Sequence, residues 1–530
     1  MLRDAYEAQY RPLFIRSAQA WWDSNTTGSD EAKQKRKEAE EALIELHSDK
    51  VVFAQIKAIK GGGQVQNAKL KRQLDVMYRT FLPGQADKGL QKKIVGIEVD
   101  VEQIFNTHRG EADGKPLSEN DIRQIVGDSK DSAQCEKAWK AYMQVGAKIQ
   151  PKLKELVSLR NQLAKSLGFR DFFALRLALQ EIDEKELIKL FDELDALTLG
   201  PFAQLKAEID ARQTTRFSIK PDALRPWHFG DLFFQEAPDL EEVNLDDSYK
   251  DKDMLALAKS YYQSLGMEVD AILSRSDLYE KPGKSPHAFS TNINRNDDIR
   301  VLCNLKPNLY WADTLLHELG HAVYDQYISK DVPFLIHEPS HSITTEGYAM
   351  MMGSVAKNEE WLTKGLNVAP DQAAKLSAAV RRTLRAEKLI FARWSQVMMR
   401  FEKGMYENPD QDLGKLWWDL KKQYQLLNPP ETVSRPDYAA KVHIVTAPVY
   451  YHSYLMGELF ACQLHDYIGT SLLGLSDPRT TSFLGRKEAG QFLIDKVFAP
   501  GNLYSWNDLT RFATGEPLTA KYFTKMYVNP

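Results

Sequence analysis

Apolar residues three and four positions apart recur through most of this chain, and that spacing limits what it can fold into more than any other feature. Between Asp183 and Leu199, the residues Leu187, Leu190, Phe191, Leu194 and Leu197 fall on one helical stripe, which Gly200-Pro201 is expected to terminate. Segments 30–48, 136–168, 371–404 and 411–426 carry the same pattern. The expected fold class is therefore mainly α. A chain of 530 residues can bury a large core, and no internal repeat, low-complexity tract or composition shift marks a boundary within it. One domain over residues 1–530 is the expectation.

Charge and hydropathy remove several classes of function. Against 73 acidic residues stand 69 basic ones, a net charge of −4, so no basic footprint for nucleic acid or anionic lipid exists. The run Lys33-Gln34-Lys35-Arg36-Lys37 is followed at once by Glu38, Glu40 and Glu41, as on a solvated helix face. No run of about 18 apolar residues occurs, and the mean hydropathy is −0.45, so no membrane span is expected. The start, MLRDAYEAQYRPLF, lacks the apolar core of a secretory signal. The chain reads as soluble, cytoplasmic as written or exported if a signal was removed before numbering. Cys135, Cys303 and Cys462 have neither a metal-binding spacing nor an even count for a disulfide framework, and read as buried thiols.

Two regions break the helical texture. Residues 214–250 set Pro221, Pro226 and Pro238 among aromatics and acids, the mark of a long irregular connection. Residues 286–306 read as two short extended runs around Asn294-Arg295-Asn296-Asp297-Asp298, a hairpin that feeds the next segment.

That segment is TLLHELGHAVY, residues 314–324. On a helix, positions i and i+4 share a face, so His317 and His321 can present two imidazole nitrogens to one Zn2+ ion. Glu318 falls beside them, too short to be a third ligand and placed to act as general base on a water. Leu315, Leu316, Leu319, Ala322 and Val323 make the surroundings apolar, which strengthens electrostatics at the site. Gly320, costly inside a helix, suggests close approach of another backbone. With 11 histidines in 530 residues, HExxH arises by chance in about one such chain per hundred. A catalytic zinc also wants a third protein ligand. Glu346 follows the helix-entry residues Thr344 and Thr345 and is expected in the first turn of a second helix. His337, Glu338 and His341 compete from a Pro-containing loop, the two histidines reading as surface or supporting groups.

HELGH with a glutamate 25 residues beyond His321 resembles the glutamate-type zincins, and its flanks resemble the angiotensin-converting enzyme family of zinc dipeptidyl carboxypeptidases. Thimet oligopeptidase and the oligoendopeptidases share the motif more distantly. PHAFSTN at 286–292, GDLFFQ at 230–235 and KVHIVTAPVYYHSY at 441–454 resemble three further family segments, in the family's order. The resemblance covers roughly residues 10–525 and is most specific between 227 and 460.

The resemblance implies a large two-lobed helical domain with a deep central channel, a lid of charged helices around residues 30–60, and a small β-hairpin near the zinc helix. It makes His287 and the Ala288 backbone substrate ligands on an edge strand, to which an extended peptide adds by main-chain hydrogen bonds. Lys441, Gln235 and Tyr451 become the site of a free C-terminal carboxylate, a fixed cation with neutral donors beside it. Tyr454 becomes the oxyanion donor and His443 a ligand to a substrate carbonyl. The implied activity is release of dipeptides from the free C-terminus of oligopeptides, by a monomer holding one zinc ion. A thimet-type oligoendopeptidase and an inactive, metal-stabilised peptide-binding protein are the alternatives.

The chain also departs from the family pattern. The tyrosine pair stands one residue farther from His443, which leaves Tyr450 as an alternative to Tyr451. Ser453 replaces a chloride-binding arginine, and Trp418 with Lys422 only partly echo a second chloride site, so chloride activation is not expected. Met350 stands where the family places an acidic partner of a zinc histidine, so another group must orient that ring. Pro286 replaces a cysteine, which leaves Cys303 without its family disulfide partner.

Overall fold

Long helices form where the apolar spacing runs unbroken. The structure, a computed structural model, describes residues 2–238 and 244–528. Helices Asp30–His47, Ser132–Ser166, Pro370–Glu407 and Leu413–Gln425 cover the four segments read from periodicity. Several begin on a side-chain cap: Ser29 accepts from Ala32 N–H, Asp131 from Ala133 and Gln134, and Asp412 from Lys415. Each satisfies donors that the helix itself cannot pair. The basic run 33–37 lies on an exposed face, with Lys35 on Glu31 and Arg36 on Glu40, each at 2.7 Å. No helix among the described residues is long and apolar enough to cross a membrane.

The fold is mainly α, and two small antiparallel sheets make up its β structure among the described residues. One expected helix end is wrong: Glu184–Phe217 runs straight through Gly200-Pro201. A proline disfavours helix in the preceding residue largely through that residue's Cβ, and Gly200 has none. Phe202, Leu205, Ile209 and Phe217 continue the buried face beyond it, so packing outweighs the lost hydrogen bond. The stripe itself passes through Thr198, leaving Leu197 exposed. Past Phe217 the expected irregular connection holds, with short turns of helix at Pro221–Ala223, Pro226–His228 and Asp246–Ser248. Residues 239–243 of it lie outside the described residues.

The chain divides into two compact units, residues 1–85, 243–380 and 456–518 in the first and 86–242, 381–455 and 519–530 in the second. In the first unit, Tyr6, Ile56, Met77, Phe81, Phe334 and Leu335 form one apolar cluster. Its antiparallel hairpin, Phe289–Asn292 with Ile299–Leu302, turns where the Asn/Asp-rich run lies. The strand starts at Phe289, so His287 and Ala288 precede it rather than belong to it. The second unit packs indoles: Trp139 lies against Trp227 and Trp418, and Trp394 meets Trp417 edge-on at 5.7 Å. All three cysteines are buried thiols, as expected.

Helix Leu309–Gln326 carries HELGH and packs on helix Ser342–Ser354. Gly320 makes the approach possible, since a Cβ there would lie 3.1 Å from Ala349 Cα. The second helix is in turn pressed against residue 457, where a Cβ on Gly347 would meet the Gly457 carbonyl oxygen at 2.5 Å. Gly347→Ala therefore forces two backbones apart and is expected to destabilise the fold by about 2 kcal/mol. An unchanged thermal melting curve would contradict this packing.

Candidate metal and peptide-binding sites

Three ligand-type side chains converge in the first unit. His317 and His321 project from one face of their helix, and Glu346 reaches them from Ser342–Ser354. The two Nε2 atoms are 3.2 Å apart, and Glu346 Oε2 lies 3.5 Å from His317 Nε2 and 3.7 Å from His321 Nε2. Two imidazole lone pairs at that distance repel unless a proton or cation sits between them. Tetrahedral ligands held about 2.0–2.1 Å from a zinc ion lie about 3.3 Å from one another. The triangle fits one zinc.

Glu346 does not stand in a first turn, because the helix begins earlier than expected. His341 is the N-cap, its Nδ1 accepting from Ile343 N–H at 3.0 Å, and Ser342 opens the helix. That leaves Thr345 free for another task, with Oγ1 2.6 Å from His321 Nδ1. A histidine donating Nδ1–H to this hydroxyl keeps its Nε2 lone pair for a metal. Thr345 is thus the orienting partner that Met350 cannot be, and its position beside Glu346 was the available signal. The competing ligands are engaged elsewhere. His337 is buried rather than at the surface, its Nδ1 3.2 Å from Val332 O, and Glu338 binds Arg295 of the hairpin turn at 2.6 Å.

The charges at this site oppose burial. Against the upward push of burial, the imidazoles of His317 and His321 hold the Glu346 carboxyl well below the usual range. Burial pushes His317 down, yet Glu346 and Glu318 leave it raised overall. Glu318 is buried among the expected apolar residues, and burial raises it above an ordinary glutamate while the two histidines oppose the shift. The backbone of Ser290, on the hairpin strand, also acts against the rise of the Glu318 carboxyl. A raised carboxyl of this kind suits a group that must both take and return a proton. His287 is exposed and Ala288 half-buried beside that strand, which pairs along one edge among the described residues.

The second unit brings Lys441, Gln235, Tyr451 and His443 together. Lys441 Nζ donates to Gln235 Oε1 at 2.6 Å, and Tyr451 Oη donates to the same oxygen at 3.3 Å. Tyr451, the tyrosine expected at this position, thus reaches Gln235. The Lys441 ammonium lies over the rings of Phe233, Trp394 and Tyr451 at 5.2, 5.5 and 5.5 Å. Burial pushes it down to about 8. Burial, with Lys441 adding to it, pushes His443 down to about 4, so this imidazole is neutral; its ring is 5.3 Å from that of Tyr451. Tyr454 stacks edge-on to Tyr451 at 5.5 Å and is 36% exposed.

Gln235 is fixed by the irregular connection. Asp231 Oδ2 accepts from the Phe233 and Gln235 N–H groups at 3.0 and 2.9 Å, while Lys421 Nζ donates to Phe233 O at 2.8 Å. Lys421, among the rings of Trp394, Trp417 and Trp418, is the buried cation of its helix, whereas Lys422 faces solvent.

The sequence pattern of the angiotensin-converting enzyme family matches residues 2–530. The chain is 22% identical to the angiotensin-converting enzyme of Rattus norvegicus over 568 aligned positions, which cover 99% of this chain and 42% of that protein. It is 23% identical to that of Mus musculus over 498 positions, covering 88% and 37%. It is also 22% identical over 371 positions to a Caenorhabditis elegans protein named inactive angiotensin-converting enzyme-related protein, covering 62% and 40%. The chain thus spans about two fifths of the length of these relatives.

The Thr345 contact is directly testable. Thr345→Val keeps the shape and removes the hydroxyl, and zinc affinity measured by chelator competition is expected to fall about 10-fold to 100-fold with the fold retained. An unchanged affinity would show that Thr345 does not orient His321.

Proposed function

Because the chain belongs to the angiotensin-converting enzyme family, we propose that it is a single-domain, zinc-dependent peptidase that releases dipeptides from the free C-terminus of oligopeptides. One observation carries the exopeptidase part of this reading. Lys441 is a buried ammonium whose hydrogen-bond partner, Gln235, is neutral, with a tyrosine hydroxyl on the same oxygen. A cation so held is open to an incoming carboxylate, which Gln235 and Tyr451 would also meet.

His317, His321 and Glu346 would hold one zinc ion, whose Lewis acidity polarises a carbonyl and acidifies a water. Glu318 takes the proton of the attacking water and passes it to the leaving amine. Tyr454 Oη donates to the oxyanion as it develops. His443, neutral, holds a substrate carbonyl by hydrogen bond, and the backbone at His287 and Ala288 takes an extended peptide by strand addition. Helices Asp30–His47 and Lys50–Gly61 act as the lid that keeps folded proteins out. The inactive nematode relative marks the contrary reading, a metal-stabilised peptide-binding protein. An intact Glu318 beside both histidines weighs against it.

Amidating a substrate's C-terminus removes one charged hydrogen-bond acceptor and is expected to lower kcat/KM by about 10-fold to 100-fold. Equal cleavage of both peptides would favour a thimet-type endopeptidase. Glu318→Gln is expected to lower kcat about 10³-fold, and full retained hydrolysis would refute the assigned base. Lys441 binds carboxylate only while protonated. KM for free-ended peptides is therefore expected to rise as pH climbs through about 8, and a KM flat from pH 7 to 9.5 would contradict the role of Lys441.

A further inference from the structure

Val449 has the most demanding backbone in the second unit's tyrosine loop. Its φ is +54°, the left-handed region, and it is the β-branched member of the non-glycine residues found there among the described residues. Such a conformation persists where surrounding groups over-determine it. Two side chains do so here. Glu402, buried on helix Pro370–Glu407, accepts from Val449 N–H at 2.7 Å. Gln180, capping helix Phe172–Leu179, donates to Val449 O at 2.9 Å and to Arg176 O at 3.0 Å, and accepts from Ser453 Oγ at 3.1 Å. Gln180 thus brackets the stretch from Val449 to the first turn of helix Tyr451–Asp466. Arg160 pins the other end of the loop through Ile444 O and Val445 O.

We propose that Gln180 and Glu402 are positioning residues of the carboxylate clamp: they hold Val449 left-handed and so set Tyr451 on Gln235. The proposal rests on the peptidase reading, in which Tyr451 meets the substrate's terminal carboxylate. Tyr451, two residues beyond Val449, meets Gln235 by its hydroxyl and lies ring to ring with His443. Ser453, between the two tyrosines, supplies the hydroxyl that anchors Gln180.

Burial pushes Glu402 up to about 8, so at neutral pH it is the uncharged acid, whose carbonyl oxygen a glutamine would reproduce. Glu402→Gln is therefore the conservative variant, while Glu402→Met and Gln180→Met remove the contacts to Val449. With the full chain loaded with zinc, Glu402→Gln is expected to keep the wild-type ratio of kcat/KM for a free-ended over an amidated peptide. Glu402→Met and Gln180→Met are expected to lower that ratio at least tenfold, and their crystal structures to place Tyr451 Oη beyond hydrogen-bond distance of Gln235. Wild-type ratios in both Met variants, with Tyr451 still on Gln235, would overturn the proposal. Should Glu402→Met fail to fold, Gln180→Met decides alone, since Gln180 is only half-buried. If the wild type does not distinguish the two peptides, the peptidase reading fails, and the position of Tyr451 in crystals of Gln180→Met still decides the positioning role.

Discussion

Two imidazole nitrogens 3.2 Å apart, with a carboxylate oxygen within 3.7 Å of both, form the constraint on which the first unit depends. This arrangement is costly without a cation and fits one of zinc's size and geometry. The close approach at Gly320, the tight packing at Gly347 and the N-cap at His341 all serve to bring Glu346 to that point. Thr345 adds the hydrogen bond that leaves His321 Nε2 turned toward His317 and Glu346. A neutral hydroxyl here, rather than a carboxylate, leaves the ring less basic than an acidic partner would.

The second unit meets a different constraint. A lysine taken out of water must be compensated, and here aromatic faces and an amide oxygen do so, with no contacting carboxylate among the described residues. The lowered proton affinity of Lys441 is the cost of that arrangement, and in the proposed peptidase an open anion site is its use. Both arms of the clamp follow residues forced into left-handed backbone, Phe234 immediately before Gln235 and Val449 two residues before Tyr451. Rigid placement of this kind lowers the ordering that substrate binding would otherwise require.

Much of this was readable from sequence for physical reasons that differ by residue. The helical spacing located the long helices because one-sided burial imposes a period of 3.6. His317, Glu318 and His321 were readable together because a helix alone sets their geometry. Glu346 was found as an acid on the next helix, though its cap was misjudged: His341 caps through its ring nitrogen, a role more common for serine or aspartate. Gly200-Pro201 misled because proline's helix-breaking force depends on its neighbour's side chain. The clamp was beyond local reasoning altogether. Gln235 and Lys441 are 206 residues apart, and only the family resemblance linked them. The left-handed residues Phe234 and Val449 carry no sequence signal, since bulky residues occur there only when tertiary contacts insist.

Release of dipeptides from a free C-terminus is the activity proposed for the chain. Mass spectrometry of the first products from a free-ended decapeptide, incubated with the zinc-loaded protein, tests it most directly. An octapeptide and the C-terminal dipeptide are expected as the initial pair. Internal fragments at early times, with no dipeptide released, would contradict it.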